Sequence, residues 1–198
     1  MVQLASSPEA YQLLHEGVQA LSQVEANGAR IDVPYLKRVI KETGDTVKEL
    51  EEEIRSSEIG RVWRREFGQR VNYNSDVQLA RVLFDIMKFE PPDRTAKGRY
   101  KTDVSSIEKI DHPFVKSYIR MTKLSHAKGT FLMGILKEVV GEYVHVNFNL
   151  HTAATYRSSS SAFNYQNLPI RDPELGKTIR SAFIARDGCR IIESDYGG

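Results

Sequence analysis

Gly141-Glu142-Tyr143-Val144-His145-Val146-Asn147-Phe148-Asn149-Leu150-His151 is the stretch where the chain changes its period. Val144, Val146, Phe148 and Leu150 alternate with His145, Asn147, Asn149 and His151. That period of two is expected of a strand with one face buried. Upstream of Gly141 the apolar residues recur at helical spacing instead. Downstream, a loop to about Pro173 leads to a short helix around Gly176–Phe183. The last element, Cys189-Arg190-Ile191-Ile192-Glu193-Ser194-Asp195, reads as an apolar strand ending in a carboxylate. Helices first and strands afterwards predict an α+β fold with a boundary near residue 142.

Working back toward the N-terminus, Tyr11, Leu14, Val18, Leu21 and Val24 mark a helix over 8–27, stopped by Asn27-Gly28. Ala29–Val33 is a short extended link, and Asp32 with Pro34 suits a helix start. The next helix is expected from Pro34 to Arg55 and onward to Phe67, with Gly44 and Gly60 as weak points. Trp63 reads as a core anchor. Asn72-Tyr73-Asn74-Ser75 is a turn whose Asn74 or Ser75 caps a helix at 75–87. Lys88–Thr102 holds Pro91-Pro92, Gly98 and five basic residues without periodicity, which predicts an exposed, mobile loop. Helices at 103–109 and 113–140 follow, the second basic through Lys116, Arg120, Lys123 and Lys128.

The net charge of +2 is unevenly distributed. Residues 1–60 carry 6 Lys/Arg against 11 Asp/Glu, residues 61–130 carry 15 against 8, and residues 131–198 carry 7 of each. A basic middle section fits a phosphate-backbone partner, and equally a solvated surface. No apolar run approaches the roughly 20 residues of a membrane span. Residues 1–8 lack the basic-then-apolar pattern of a signal peptide, and the single Cys189 excludes an internal disulfide or a cysteine-cluster zinc site. The expected setting is reducing and cytoplasmic, or host cytoplasm for a viral protein.

Thr155-Tyr156-Arg157-Ser158-Ser159-Ser160-Ser161-Ala162-Phe163-Asn164-Tyr165-Gln166-Asn167-Leu168-Pro169 resembles T-G-R-L-S-S-x-x-P-N-L-Q-N-I-P, a motif of the family A, polymerase I-like DNA polymerases. Ile179-Arg180-Ser181-Ala182-Phe183 is similar to that family's I-R-x-A-F, and Ser194-Asp195-Tyr196 resembles the start of its motif A, D-Y-S-Q-x-E. Upstream, Val24–Asp32 looks like M-E-x-x-G-V-x-I-D, Asn72–Ser75 like F-N-x-x-S, and Lys123–Phe131 like the K-L-x-x-T-Y region. The chain departs from the family at Tyr156 for glycine, Ser158 for leucine, Phe163 for proline, and Gly197-Gly198 for Ser-Gln. Tyr156 puts the local loop path in question, because glycine adopts conformations that tyrosine does not.

The resemblance implies a mostly helical thumb followed by part of an antiparallel palm sheet. Residues 1–30 would form a helix at the palm/thumb base, 31–142 a thumb with a basic tip near 88–102, and 143–198 the N-terminal part of the palm, ending in motif A. The implied activity is templated nucleotidyl transfer with two Mg2+ ions in the complete enzyme. Asp195 and the Tyr196 carbonyl would be metal ligands. Arg157, Asn164, Gln166 and Asn167 would lie against primer and template, and Arg171 near the incoming dNTP. Asn72, Asn74, Ser75, Arg94, Lys97, Arg99, Lys101, Lys123 and Lys128 would contact phosphates of primer–template DNA. Ending at its first metal-binding aspartate, the chain is expected to be inactive alone and to need a missing fingers/palm segment or a C-terminal polymerase subunit. The alternative is a non-catalytic DNA-binding module or a subunit of a split polymerase.

Overall fold

The computed structural model describes residues 7–150, 152–153, 157–161, 165–169, 172–192 and 194. They form an α+β fold in two compact units, one of residues 42–126 and one of residues 1–41 with 127–198. Each unit has its own core. Leu50, Ile54, Ile59, Trp63, Leu79, Leu83, Ile107, Phe114, Tyr118 and Met121 pack together in the first. Ile31, Leu36, Val39, Ala127, Leu132, Ile135, Val144, Ile179 and Ala182 do so in the second. No helix among the described residues is long and apolar enough to cross a membrane.

Helix α1 (Pro8–Asn27) begins where the Ser7 hydroxyl accepts from the Ala10 N–H and ends at Gly28, whose φ of 63° suits a residue without Cβ. The link after it becomes strand β1 (Ala29–Ile31). Asp32 accepts from the Tyr35 N–H and starts α2 (Val33–Ser56). The expected continuation to Phe67 is interrupted, and a separate α3 (Glu58–Phe67) is capped by Ser57. The chain leaves the helix at Ser57, whose backbone is extended, and Gly60 permits the tight junction: a Cβ there would stand 1.9 Å from the Ile54 carbonyl oxygen.

Helix α4 (Asp76–Ala80) widens into a π-helical stretch, Arg81–Ile86. The wider turn buries three consecutive residues, Val82, Leu83 and Phe84. It closes through Lys88 at φ 61°, with Phe89 N–H donating to the Leu83 carbonyl at 3.0 Å. Helices α5 (Val104–Ile107) and α6 (Pro113–His126) complete this part. The helix expected over 113–140 passes through a second π-helical stretch, Ala127–Leu132, into α7 (Met133–Glu138). Its last two residues instead form β2 (Val139–Val140).

The strand expected over 144–151 divides. Strand β3 (Tyr143–Val144) lies in an antiparallel four-stranded sheet in which it stands between β2 and β1, with Phe183–Ile184 beyond β1, while β4 (Asn147–Asn149) pairs with β5 (Ser159–Ser161) in a second sheet. The cause is α1: Glu25 accepts from the Phe148 N–H with its carboxylate and holds the His145 ring with its carbonyl. After α8 (Pro173–Arg180), β6 (Phe183–Ile184) pairs with β1, so Phe183 is strand rather than helix end. The strand expected at 189–195 is not seen in its described residues, where Ile191 and Ile192 are 64% and 87% exposed.

Candidate nucleic-acid interface

The turn before α4 is built around Gln78. Its Oε1 accepts from the buried Trp63 Nε1 at 2.8 Å and from the Asn72 N–H at 2.9 Å, and its Nε2 donates to the Arg70 carbonyl at 2.8 Å. Asn72 Oδ1 accepts from the Asn74 N–H at 2.9 Å, and the Ser75 hydroxyl caps α4 by accepting from the Gln78 N–H. Asn72 and Asn74 are exposed and Ser75 is half-buried. Two of these three predicted contact residues therefore already engage their side chains within the turn.

The basic stretch after Lys88 contains a hairpin rather than an irregular loop. Arg94 and Tyr100 form an antiparallel bridge, Thr95 N–H donates to the Arg99 carbonyl at 2.8 Å, and Lys101 N–H donates to the Asp93 carbonyl at 3.1 Å. Gly98, at φ 76°, makes the reversal. Side chains reinforce this frame. The Arg94 guanidinium lies 4.5 Å from the Tyr100 ring centroid and donates to the Gly98 carbonyl at 3.0 Å. The Tyr100 ring packs on Phe84, its hydroxyl donates to Asp85 Oδ1 at 2.9 Å, and Lys109 pairs with Asp93 at 2.7 Å. The Lys109 ammonium, helped by Ser106, holds the Asp93 carboxyl below the usual carboxylate range. Lys97, Arg99 and Lys101 stand exposed on the hairpin. An open groove of about 470 Å³ runs beside it, lined by Asp76, Arg81, Asp85, Arg94, Arg99 and Tyr100 among others.

Lys123 is exposed on α6, and Lys128 is half-buried in the second π-helical stretch. In the same unit as Lys128, Arg157 is exposed just before β5, and Gln166 Nε2 donates to the Ser158 hydroxyl at 2.9 Å. Asn167 is exposed at the end of a 3-10 turn, Tyr165–Asn167. Nearby polar contacts join Asn149 to Ser161 and Thr152 to Ser159. Asn164, Arg171, Asp195 and Tyr196 lie outside the described residues. Among the described residues no group of three or more His, Cys, Asp or Glu side chains converges on one point.

Residues 33–198 match the model of DNA polymerase family A. The chain belongs to DNA polymerase family A. It is 36% identical to the thermostable DNA polymerase I of Thermus thermophilus over 194 residues, 93% of this chain and 22% of that one. It is 32% identical to the DNA polymerase I of Mycobacterium tuberculosis over 184 residues, 90% of this chain and 19% of that one. The chain thus spans about a fifth of the length of the curated relatives it matches. Among solved structures it resembles the POL domain of Pol1 from M. smegmatis, in complex with DNA primer-template and dNTP. The TM-score is 0.72 at 31% identity, covering 86% of this chain and 29% of that one.

Within this family A chain, sequence reasoning passed over Gln78, Asp85 and Tyr100. Gln78 was within reach of it: Ser75-x-x-Gln78 has the spacing of a capping box, whose glutamine normally reaches back to the cap. Here it reaches further, to Trp63 and Asn72. Asp85 and Tyr100 carry no such local signal, because what joins them is a contact between segments 15 residues apart.

Proposed function

We propose that this chain is the part of a DNA-directed DNA polymerase that grips primer–template DNA and contributes one carboxylate to the metal site. The reading combines family membership with one observation in particular: Lys97, Arg99 and Lys101 stand exposed on a hydrogen-bonded hairpin. Cations on a frame that is already ordered suit sequence-independent phosphate contact, since less freedom is lost on binding. The solved relative was captured with DNA primer-template and dNTP, which supports the same partners for the full-length protein.

In this reading residues 1–30 form the base helix, 31–142 the thumb and 143–198 the first part of the palm. Asn72, Asn74, Ser75, Arg94, Lys97, Arg99, Lys101, Lys123 and Lys128 hold phosphates. Arg157 lies in the minor groove at the primer end, where acceptors sit alike in all base pairs, so it senses pair shape and not sequence. Gln166, steadied by Ser158, works beside it with Asn164 and Asn167. Arg171 meets the triphosphate. Asp195 and the Tyr196 carbonyl hold a divalent cation, Mg2+, one of two in the full-length enzyme. Bound there, the cations would supply activation of the primer 3′-hydroxyl and charge neutralisation at the leaving pyrophosphate. Residues outside this chain complete the site, so the chain by itself binds DNA without extending a primer. Its working place is the cytoplasm.

Fluorescence anisotropy with labelled primer–template DNA tests the grip. We expect binding that is indifferent to sequence and weakens steeply as salt rises. No binding at low salt sinks the proposal. In the full-length polymerase, Asp195→Ala should abolish incorporation while leaving DNA affinity nearly intact, and wild-type incorporation by that variant would remove Asp195 from the metal site.

A further inference from the structure

We propose that Tyr100 and Asp85 are positioning residues for DNA binding: their hydrogen bond fixes the basic hairpin against the π-helical stretch, so that Lys97 and Arg99 meet phosphates already in place. The inference rests on the DNA-gripping reading above.

Two short backbone segments meet here. Asp85 is exposed on the π-helical stretch because the three residues before it are buried. Tyr100 comes from the returning arm of the hairpin, and its hydroxyl donates to Asp85 Oδ1 at 2.9 Å. Below that hydroxyl the Tyr100 ring packs on the buried Phe84, with centroids 4.9 Å apart, and above the ring lies Arg94 at 4.5 Å. Arg94 in turn donates to the Gly98 carbonyl at the reversal. One continuous chain of contacts therefore runs from the core, through Phe84, Tyr100 and Arg94, to the residue between Lys97 and Arg99. At the hairpin base the Asp93–Lys109 ion pair supplies a second attachment, to the segment beyond α5. A two-armed hairpin this short is marginal by itself, so these side-chain ties decide whether it is ordered before DNA arrives.

Asp85 is also a negative charge lining a groove where anionic phosphate would lie. A carboxylate there opposes an anion, and the Tyr100 hydroxyl, a neutral donor, leaves its charge in place. The residue thus acts in two opposite ways, and they separate in substitutions. Asp85→Asn keeps an acceptor for Tyr100 and removes the charge. Asp85→Ala removes both.

The test uses the full chain, anisotropy with primer–template DNA, and a salt titration for each variant. Tyr100→Phe keeps the ring on Phe84 and under Arg94 and deletes only the hydroxyl. It should weaken DNA binding by about fivefold, the equivalent of one hydrogen bond. The slope of log K against log salt should stay at the wild-type value, because the same phosphates are finally met. Asp85→Asn should bind at least as tightly as wild type, and Asp85→Ala about fivefold more weakly than Asp85→Asn. Adding Tyr100→Phe to Asp85→Ala should cost nothing more, since the bond is already gone. Lys97→Ala and Arg99→Ala should each lower the slope by about 0.9. If those two lower the slope while Tyr100→Phe binds like wild type, the positioning role is wrong and the DNA reading stands. If Tyr100→Phe lowers the slope, Tyr100 touches phosphate itself and the positioning role is again wrong. If Lys97→Ala and Arg99→Ala keep the wild-type slope, the DNA-gripping reading fails and this inference with it.

Discussion

The turn at Asn72–Gln78 and the hairpin at Asp93–Thr102 both offer polar side chains suited to a phosphate backbone, but they are held in opposite ways. In the turn, the candidate contact residues are also the fasteners. Asn72 and Ser75 hold backbone N–H groups, and Gln78 ties them to the buried Trp63. In the hairpin the roles are divided at every position but Arg94, which is both a phosphate candidate and a fastener. Arg94, Tyr100, Asp85 and Asp93 do the fastening, while Lys97 and Arg99 stand outside that network of side-chain ties. Stability and binding are therefore coupled in the turn and separable in the hairpin.

The sharpest way to break the turn is to remove its anchor. Trp63 is fully buried, with Tyr73 edge-on at 5.2 Å and Tyr118 stacked at 6.2 Å. Trp63→Ala should cost about 3–5 kcal/mol in urea unfolding. A loss under 1 kcal/mol would mean that the turn does not hang on this residue. Tyr118 makes the same core sensitive to alkali. Burial, with the negative charge of Asp76 adding to it, pushes its hydroxyl up to about 12. The folded value exceeds the unfolded one near 10, so this contribution is present below pH 10 and is lost as pH rises from 10 to 12. Comparing urea midpoints at pH 9 and 11.5, Tyr118→Phe should spare about 2 kcal/mol of the wild-type decline.

Smaller effects distinguish the fasteners from each other. Gln78→Ala leaves the Trp63 N–H without its partner and should cost about 1–3 kcal/mol. Ser75→Ala removes only a helix cap, at about 1 kcal/mol. Should the two cost the same, the cap and not the link to Trp63 governs the turn.

What could be read from the sequence follows the same division between local and tertiary causes. The α1 boundaries, the Ser75 cap and the Trp63 anchor were legible because periodicity and capping chemistry are local. The break between α2 and α3 was legible in part: Gly60 stood out as a weak point and Gly44 equally so, but only the close approach of Gly60 to the Ile54 carbonyl, which no spacing reveals, places the break there. The division of the 144–151 strand was not legible, because Glu25, more than a hundred residues away, takes the Phe148 N–H. The hairpin lacked alternation because its order comes from an arginine, a tyrosine and two carboxylates rather than from a buried face. For the site the motif residues were legible as a family pattern. Asp195, Tyr196, Asn164 and Arg171 fall outside the described residues, so their roles continue to rest on that pattern.

Substitutions at the hairpin's exposed cations should leave the fold alone. Lys97 and Arg99 are exposed, and neither side chain takes part in the contacts that close the hairpin. Replacing both with alanine should move unfolding stability by no more than about 0.5 kcal/mol. Each phosphate left without its cation should nevertheless lower the salt slope of DNA binding by about 0.9, so the pair should lower it by nearly 2. The matched change in the turn, Asn72→Ala with Ser75→Ala, should disturb stability and binding together, because the same atoms serve both. If the turn variants instead lose binding at unchanged stability, Asn72 and Ser75 meet phosphate without holding the fold. If the hairpin variants lose stability, Lys97 and Arg99 belong among the fasteners. Measured side by side, the two double variants decide whether the division between holding the protein and holding DNA is real.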